Sequence, residues 1–373
     1  MKIIIAVYIV ISSCLLTGCW DTHLLKDNNL VLGVGLDATD EGKILNTSVI
    51  RLLSLEGGGK SASTNVIYNA TGNTLREIRV DIEKQLGGEY AANKMQVLAI
   101  GEELAKEDIY PILDILYRDP RNSLGAKIVI TKGTAKELLQ IKKSKEVFIS
   151  EKLTKAVKGA EENTLVPIET LQSICPNLFD PGKDFALPYV IRKDSDSFDI
   201  VGIALFHGEK YTGKVLEGQN ATVLLYLNGE KGDVGRLVLK VNPEEEQHQD
   251  QYISVNTFLK SQSLKVNVDN DHKITVDINV KLNITVIEYP KDGMFSDGEI
   301  KKLNKIISDQ LTENASMVIK ELQLVNCDYF GIGRKIMAYH PKTWSLMDWE
   351  ETFPTIAINA KIEAKITGNG ILK

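Results

Sequence analysis

Cys19 has the clearest chemical role of any residue in the sequence. It ends the tetrapeptide Leu16-Thr17-Gly18-Cys19, directly behind a hydrophobic run over residues 3–16. A run of this length is too short to span a bilayer as a helix, and it matches the apolar core of a signal peptide with small residues at its exit. The pattern is a lipobox. We therefore expect cleavage between Gly18 and Cys19 and attachment of a thioether-linked diacylglycerol to the Cys19 thiol, with an ordinary secretory signal or an uncleaved anchor as the alternatives.

The expected anchor determines where the mature chain acts. Two acyl chains on one cysteine give stable membrane attachment, whereas a single chain binds only marginally. Lys2 is the only charged residue in the signal, and its removal takes the net charge of the chain from −6 to −7. Anionic headgroups repel a chain of this net charge. The acyl chains, and not the overall charge, are therefore predicted to hold the protein at the extracytoplasmic face of a membrane.

Other patterns that could carry chemistry fail on their spacing. The stretch Glu56-Gly57-Gly58-Gly59-Lys60-Ser61 would be a phosphate-binding loop only with glycine at position 54, where Ser54 stands. The five histidines are scattered, and the sequence contains no metal-binding motif and no G-x-S-x-G nucleophile motif. The acidic balance opposes binding to nucleic acid. We therefore predict no enzyme activity, no metal, no cofactor and no nucleic-acid partner.

Two cysteines remain for a disulfide once Cys14 leaves with the signal and Cys19 is lipidated. They are Cys175 and Cys327. Disulfides are permitted outside the cytoplasm, but the sequence gives no distance between these two thiols. Both a bridge and two buried free thiols stay open, and free thiols are the favoured interpretation.

Strands and helices alternate in the first half of the chain. Residues 30–37 and 44–55 are strand-like on either side of a turn cluster and predict a hairpin. Gly33 and Gly35 lie within the first of these strands, without the third glycine and the helix of a dinucleotide site, and indicate a kink or a bulge. The following elements are a helix capped at 73–74, a strand at 95–100, a helix at 102–117, a strand at 126–131 and a mostly helical region at 134–157.

The second half predicts an α+β domain. A polar patch at 193–197 indicates a boundary near residue 196. A hairpin is predicted at 200–212. Three alternating runs follow at 237–241, 252–268 and 274–287, and their alternation predicts an antiparallel sheet with one wet face. Ser296 and Glu299 form a capping box that opens the longest helix, which is predicted to pack on this sheet. A helix at 328–339 and a final strand at 355–366 follow.

The predicted fold class is α+β, with two or possibly three mixed domains. The division is a lipoprotein signal peptide at 1–18, an N-terminal α/β-type domain at 19–195 and a C-terminal α+β domain at 196–373.

The three tryptophans are candidates for contacts with the membrane, with a partner or within the core. Trp20 follows Cys19 at headgroup level, where an indole suits either the membrane interface or a partner surface. For Trp344 and Trp349, core packing is favoured over an exposed interface anchor.

Several stretches together resemble the Ger(x)C family, the C subunits of spore germinant receptors. The resemblance spans essentially the whole chain in order and rests on Cys19-Trp20-Asp21, residues 30–37, Gly202-Ile203-Ala204-Leu205-Phe206 with Lys210 and Gly213, Asp328-Tyr329-Phe330-Gly331-Ile332-Gly333, His340-Pro341-Lys342-Thr343-Trp344, and Trp349-Glu350.

The resemblance implies a lipoprotein on the outer face of the spore inner membrane, acting with two polytopic membrane subunits, A and B, in sensing nutrients. It also implies a body divided into two or three α+β domains, and it carries over no catalytic residue. The function expected from it is a non-enzymatic receptor subunit that docks on A and B. The alternative is a lipid-anchored protein that captures the small-molecule germinant directly. The candidate interface or structural residues are Trp20, Asp21, Asp328, Gly331, Gly333, Trp344 and Trp349.

Overall fold

The computed structural model describes residues 28–56, 60–141, 148–291 and 296–368. The predicted signal peptide, the lipidation site Cys19, and the neighbouring Gly18, Trp20 and Asp21 lie outside the described residues. The described chain is α+β, as predicted, and its strands form two sheets. No helix among the described residues is both long enough and apolar enough to cross a membrane.

The larger sheet has nine strands within the described part of the chain, in the order β3-β2-β1-β5-β6-β7-β8-β9, with β4 paired to β1. Its four central strands run parallel, and antiparallel hairpins extend it at both ends. The strands are β1 (Asn28–Ala38), β2 (Ile44–Glu56), β3 (Lys60–Gly72), β4 (Glu89–Ala91), β5 (Val97–Gly101), β6 (Lys127–Thr131), β7 (Ala186–Arg192), β8 (Phe198–His207) and β9 (Lys210–Glu217).

Helices cover both faces of this sheet. They are α1 (Leu75–Leu86), α2 (Glu102–Ala105), α3 (Tyr110–Arg118), α4 (Ala135–Leu139), α5 (Ile149–Glu162) and α6 (Leu171–Ile174). Leu98 and Ile100 of β5 enter one core with α1 and α3, whereas Val97 and Ala99 enter a second core with α4 and α5. The central strands are therefore apolar on both faces, as in parallel sheets buried between helices.

Two sequence expectations for these elements had different outcomes. The predicted bulge in β1 is confirmed, because the register with β2 shifts between Val31 and Gly33. The predicted single helix at 102–117 is wrong, since the chain forms α2 and α3 there. Pro111 lies in the first turn of α3, and its ring disfavours continuing a helix that comes from upstream.

The smaller sheet has the order β10-β11-β12-β13. The first three strands are antiparallel, as predicted, but β13 pairs with β12 in parallel. The parallel pairing is possible because a long crossover that includes the longest helix separates these two strands. The strands are β10 (Gly235–Lys240), β11 (Tyr252–Val268), β12 (Ile274–Glu288) and β13 (Ala357–Gly368), and the helices of this half are α7 (Gly218–Leu227), α8 (Asp297–Leu324), α9 (Ile332–Tyr339), α10 (Pro341–Trp344) and α11 (Trp349–Thr352).

The long helix α8 packs on the smaller sheet as the sequence predicts. Ser296 caps it by accepting a hydrogen bond from the Glu299 backbone N–H at 3.1 Å. One apolar stripe of the helix is buried, comprising Leu303, Ile307, Leu311, Ala315, Val318 and Leu322.

A third hydrophobic core contains residues of both sheets. Seven of the ten residues of α7 are buried, and the helix contacts strands of both sheets and α8. Ile203 and Leu205 of β8 belong to the same core as Val276 and Ile278 of β12. The last strand of the larger sheet ends at Glu217, and the first strand of the smaller sheet begins at Gly235. The boundary predicted near residue 196 lies earlier, in the β7–β8 turn inside the larger sheet. Division of the chain into folding units at that turn stays a prediction.

Candidate functional site

Two buried aspartates join the segment before α9 to the loop before β7. The Asp328 backbone N–H donates to Asp184 Oδ2 at 2.7 Å, and the Asp184 backbone N–H donates to the Asp328 carbonyl at 3.0 Å. The other oxygen of Asp184, Oδ1, accepts from the Gly208 backbone N–H at 2.7 Å in the β8–β9 turn. Three segments that are far apart in sequence therefore meet at these two residues.

The Asp328 carboxylate satisfies the first backbone donors of α9. Its Oδ1 accepts from Ile332 N at 2.9 Å and its Oδ2 accepts from Gly333 N at 2.8 Å. Both donors belong to the first turn of the helix, where no intrahelical acceptor is available. Asp328 is only 2% exposed, and this burial raises its pKa to about 7 although the two backbone donors oppose the rise. Gly331, at φ 65°, supplies the left-handed conformation that turns the chain into the helix.

Two glycines let the chain segments approach closely at this point. A Cβ on Gly333 would lie 2.7 Å from Trp349 Nε1 and 2.9 Å from the Gly182 Cα. Arg334 N donates to the Gly182 carbonyl at 2.8 Å, and the Arg334 guanidinium forms an ion pair with Asp180. The loop 180–184 is thus bound to the start of α9 through both main chain and side chain.

His207 adds positive charge to this cluster of carboxylates. Its Nε2 lies 2.8 Å from Glu350 Oε2, and its Nδ1 lies 3.5 Å from Asp184 Oδ2, a distance at the limit for a hydrogen bond. The Asp184 carboxylate is the largest cause that raises the pKa of His207 to about 9, and Glu350 adds to it. His207 is therefore protonated at neutral pH and offsets part of the negative charge.

The surface of this cluster is an open cleft of about 370 Å³, which we call the junction cleft. Its lining mixes both signs of charge and includes Asp180, Lys183, Asp184, His207, Lys210 and Glu350. Cys327 is fully buried beside it, and burial raises the pKa of its thiol, so the reactive thiolate is disfavoured. Both Cys175 and Cys327 are free thiols in the structure. No three His, Cys, Asp or Glu side chains of the described ranges are grouped to hold a metal ion.

The structure brings five of the sequence-predicted residues together. Asp328, Gly331, Gly333 and Trp349 lie within the cluster, and Trp344 contacts Trp349 with ring centroids 5.9 Å apart. Trp349 is buried in the core, whereas Trp344 is half-buried. The indole Nε1 of Trp349 lies near the Asp328 carboxylate but does not form a hydrogen bond with it.

Sequence reasoning missed the other half of the cluster, namely Asp184, His207, Gly182 and Arg334. Two signals pointed towards it: Asp180-Pro181-Gly182 stands out as a loop, and His207 directly follows the patterned stretch 202–206. Nothing in the sequence shows that these stretches meet residues 328–334, because the contacts span more than a hundred positions of the chain.

The sequence matches two protein-family models in chain order. The spore germination protein N-terminal domain matches residues 21–192, and the spore germination B3/GerAC-like C-terminal domain matches residues 201–370. The unmatched residues between them, 193–200, include the β7–β8 turn.

Named relatives cover nearly the whole chain. Spore germination protein GerQC of Bacillus cereus is 25% identical over 362 residues, which is 97% of each protein. Spore germination protein KC of Bacillus subtilis (strain 168) is 24% identical over 403 residues, covering 99% of this chain and 96% of the relative. The crystal structure of the GerBC protein covers 90% of this chain and 97% of its own, with a TM-score of 0.55 and 17% identity, a likeness that shows the fold.

The first prediction concerns the Asp328 carboxylate. Asp328→Ala leaves the buried N–H groups of Ile332 and Gly333 without acceptors, so we expect the free energy of unfolding to fall by about 3 kcal/mol. Urea denaturation followed by circular dichroism measures this change. The control is Asp309→Ala on the exposed face of α8, which should stay within about 0.5 kcal/mol of wild type. Equal stability of the two variants would contradict the role given to Asp328.

The second prediction concerns the protonation of His207. Because folding raises its pKa from an ordinary value near 6.5 to about 9, its stabilising effect is fully present below pH about 6.5 and is lost as pH rises through about 9. The side chain is 37% exposed, so solvent screening reduces the effect to about 1 kcal/mol. His207→Gln should therefore be less stable than wild type by this amount at about pH 6 and by much less at about pH 10.

The measurement is the free energy of unfolding of both proteins at the two pH values. His248→Gln changes an exposed histidine and should keep the wild-type pH dependence. A stability difference between His207→Gln and wild type that is the same at both pH values would show that the charge of His207 does not matter.

Proposed function

This chain belongs to the GerAC-like family of spore germination proteins, and on that premise we propose that it is the lipid-anchored C subunit of a nutrient germinant receptor. In this proposal it is not an enzyme. Its body docks on two membrane subunits, A and B, at the outer face of the spore inner membrane, and the complex needs it to respond to nutrients. The observation that carries the proposal is the match of both domain models, in order, over residues 21–192 and 201–370, directly behind a lipobox that ends at Cys19.

The junction supports a role in contact rather than in chemistry. The polar groups of the cluster are used in joining the two sheets: the Asp328 carboxylate accepts two backbone donors and that of Asp184 accepts two more. One of the three hydrophobic cores among the described residues contains side chains of both halves. Such a body presents its surfaces in a fixed relation to one another, which suits a subunit that binds two neighbours.

The lipid would act by concentrating the body beside its partners. Confinement of one binding partner near another converts the encounter into an almost intramolecular one and can raise the effective affinity by about 100-fold or more without any new contact. A modest docking surface is then sufficient for assembly.

Exposed apolar side chains beside the junction give a candidate for that surface. Tyr339, at the end of α9, is 79% exposed, and Leu346, just after α10, is 72% exposed. The half-buried Trp344 lies between them in sequence. Tyrosine and tryptophan are enriched among the residues that dominate binding energy in protein interfaces. We call the segment 339–346 the docking corner and assign to it the contact with the membrane subunits.

The experiment that tests the anchor compares the two cysteines of the N-terminal region in sporulating cells. Cys19→Ala removes the acyl attachment point, so we expect the protein to leave the membrane fraction or the germination response to drop, with assembly weakened by about 100-fold. Cys14→Ala changes the cysteine within the predicted signal and should behave as wild type. Full germination by the Cys19→Ala strain would refute the tether as a requirement.

The docking corner is tested by co-purification of the A and B subunits with this chain from spore membranes. Leu346→Glu places a charge on an exposed apolar position, so the fold should stay within about 0.5 kcal/mol of wild type while recovery of the partners falls by about tenfold or more. Val238→Glu, at a position 61% exposed on strand β10, is the control. Equal recovery of partners with both variants would place the contact elsewhere.

The same preparations address direct capture of a germinant. Under our proposal, nutrient titrated into the purified chain without the other subunits gives no saturable binding signal. Saturable binding would favour the alternative of a lipid-anchored binding protein.

A further inference from the structure

A second, larger cleft opens at the edge of the larger sheet where β1 begins. It has a volume of about 840 Å³ and is lined by Leu30 and Leu32 of β1, by Gln96 before β5 and by one face of α5. Strands β1, β5 and β6 run parallel, so this edge carries the amino ends of all three. We call this feature the basic cleft, because its lining contains Arg51, Lys94, Lys127, Lys155 and Lys158.

Two of these five cations have a carboxylate partner within the fold. Arg51 pairs with Glu151 at 2.5 Å, and the buried Lys127 pairs with Glu161 at 2.6 Å. Among the described residues that line the cleft, Glu151 is the only acidic one.

The other three cations, Lys94, Lys155 and Lys158, are exposed. None of them forms an ion pair with a carboxylate of the described ranges, although Lys158 lies close enough to Glu161 to influence it. On the neighbouring surface, Arg121 pairs with both Glu89 and Asp119. Positive charge is thus locally in excess in a chain that is acidic overall.

The proposed anchor enters the body at the same edge. Cys19 and the first residue of β1, Asn28, are nine residues apart in sequence, and an extended chain of that length reaches at most about 32 Å. The basic cleft is therefore held close to the lipid surface, whereas other faces of the body are free to turn towards or away from it.

We propose that the basic cleft binds the phosphate groups of anionic phospholipids in the membrane that carries the anchor. Ammonium groups at the cleft mouth suit phosphodiester oxygens, and a basic residue near an anionic surface contributes about 1 kcal/mol, or about fivefold in partitioning. Three unpaired lysines together amount to about 100-fold. The net charge of the chain alone predicts repulsion from an anionic surface. The lysines clustered at one edge make the interaction of that edge with the surface attractive, and the body is therefore oriented with this edge towards the membrane. This inference rests on the lipid tether of the proposed function.

The test uses the mature chain from residue 19 with Cys19→Ser, so that no acyl chain contributes to binding. Its partitioning is measured by co-sedimentation with phosphatidylcholine vesicles with and without phosphatidylglycerol, at low and high salt. We expect binding only to the phosphatidylglycerol vesicles, and we expect high salt to abolish it. A failure here leaves the tether and the docking corner untouched, because both are tested with the lipidated protein in spores.

The decisive comparison is between two triple variants of equal net charge. Lys94→Gln, Lys155→Gln and Lys158→Gln together should weaken partitioning by about 100-fold. The control replaces Lys301, Lys305 and Lys320, three exposed lysines of α8, with glutamine and should stay within a few-fold of wild type. Thermal unfolding confirms that both variants are folded.

Three results would overturn the proposal. They are the absence of wild-type binding to phosphatidylglycerol vesicles, equal loss of binding in the two triple variants, and saturable binding of inorganic phosphate with no preference for anionic vesicles. The last of these would make free phosphate the occupant of the cleft.

Discussion

The arrangement of the whole molecule depends on the paired backbone and carboxylate hydrogen bonds between Asp184 and Asp328. Burying a carboxylate is costly unless its oxygens find donors. The donors to Asp184 are the backbone N–H groups of Gly208 and Asp328, and those to Asp328 are the first N–H groups of α9. The bonds to Asp184 tie the β8–β9 turn and the segment before α9 to the loop before β7, whereas the Asp328 carboxylate caps α9 within its own segment. Loss of the Asp184 side chain would leave the N–H groups of Gly208 and Asp328 unpaired, one in each half of the chain. Loss of the Asp328 side chain would leave those of Ile332 and Gly333 unpaired at the start of α9.

This constraint works together with the continuous core. Helix α7 is apolar on nearly every side and is buried between the sheets, so it packs the two halves against each other. In the lipid-anchored state that we propose, the close packing of the two halves relates the orientation of one surface to that of the others. The basic cleft and the docking corner would then contact the membrane and the membrane subunits at the same time.

The sequence was sufficient for features that depend on local pattern. The bulge at Gly33, the Ser296 cap of α8 and the buried stripe of that helix follow from spacing and residue type alone. The sequence was insufficient for features that tertiary packing or the path of the chain determines. Helix α7 shows no helical periodicity because it is buried all round, Pro111 divides a helix that periodicity alone would continue, and the parallel pairing of β13 depends on a crossover path.

The candidate site divides in the same way. Asp328, Gly331 and Gly333 stand out in one short stretch, but their partners Asp184 and His207 are recognisable only once the chain is folded. The boundary near residue 196 stays a prediction: it lies in a polar turn inside the larger sheet and between the two family-model matches.

Mass spectrometry of the N-terminal peptide of the protein isolated from spore membranes tests whether the chain is anchored by lipid. We expect a mature chain that begins at Cys19 and carries the added mass of a diacylglycerol. An unmodified N-terminus, or a chain that retains residues 1–18, would contradict it.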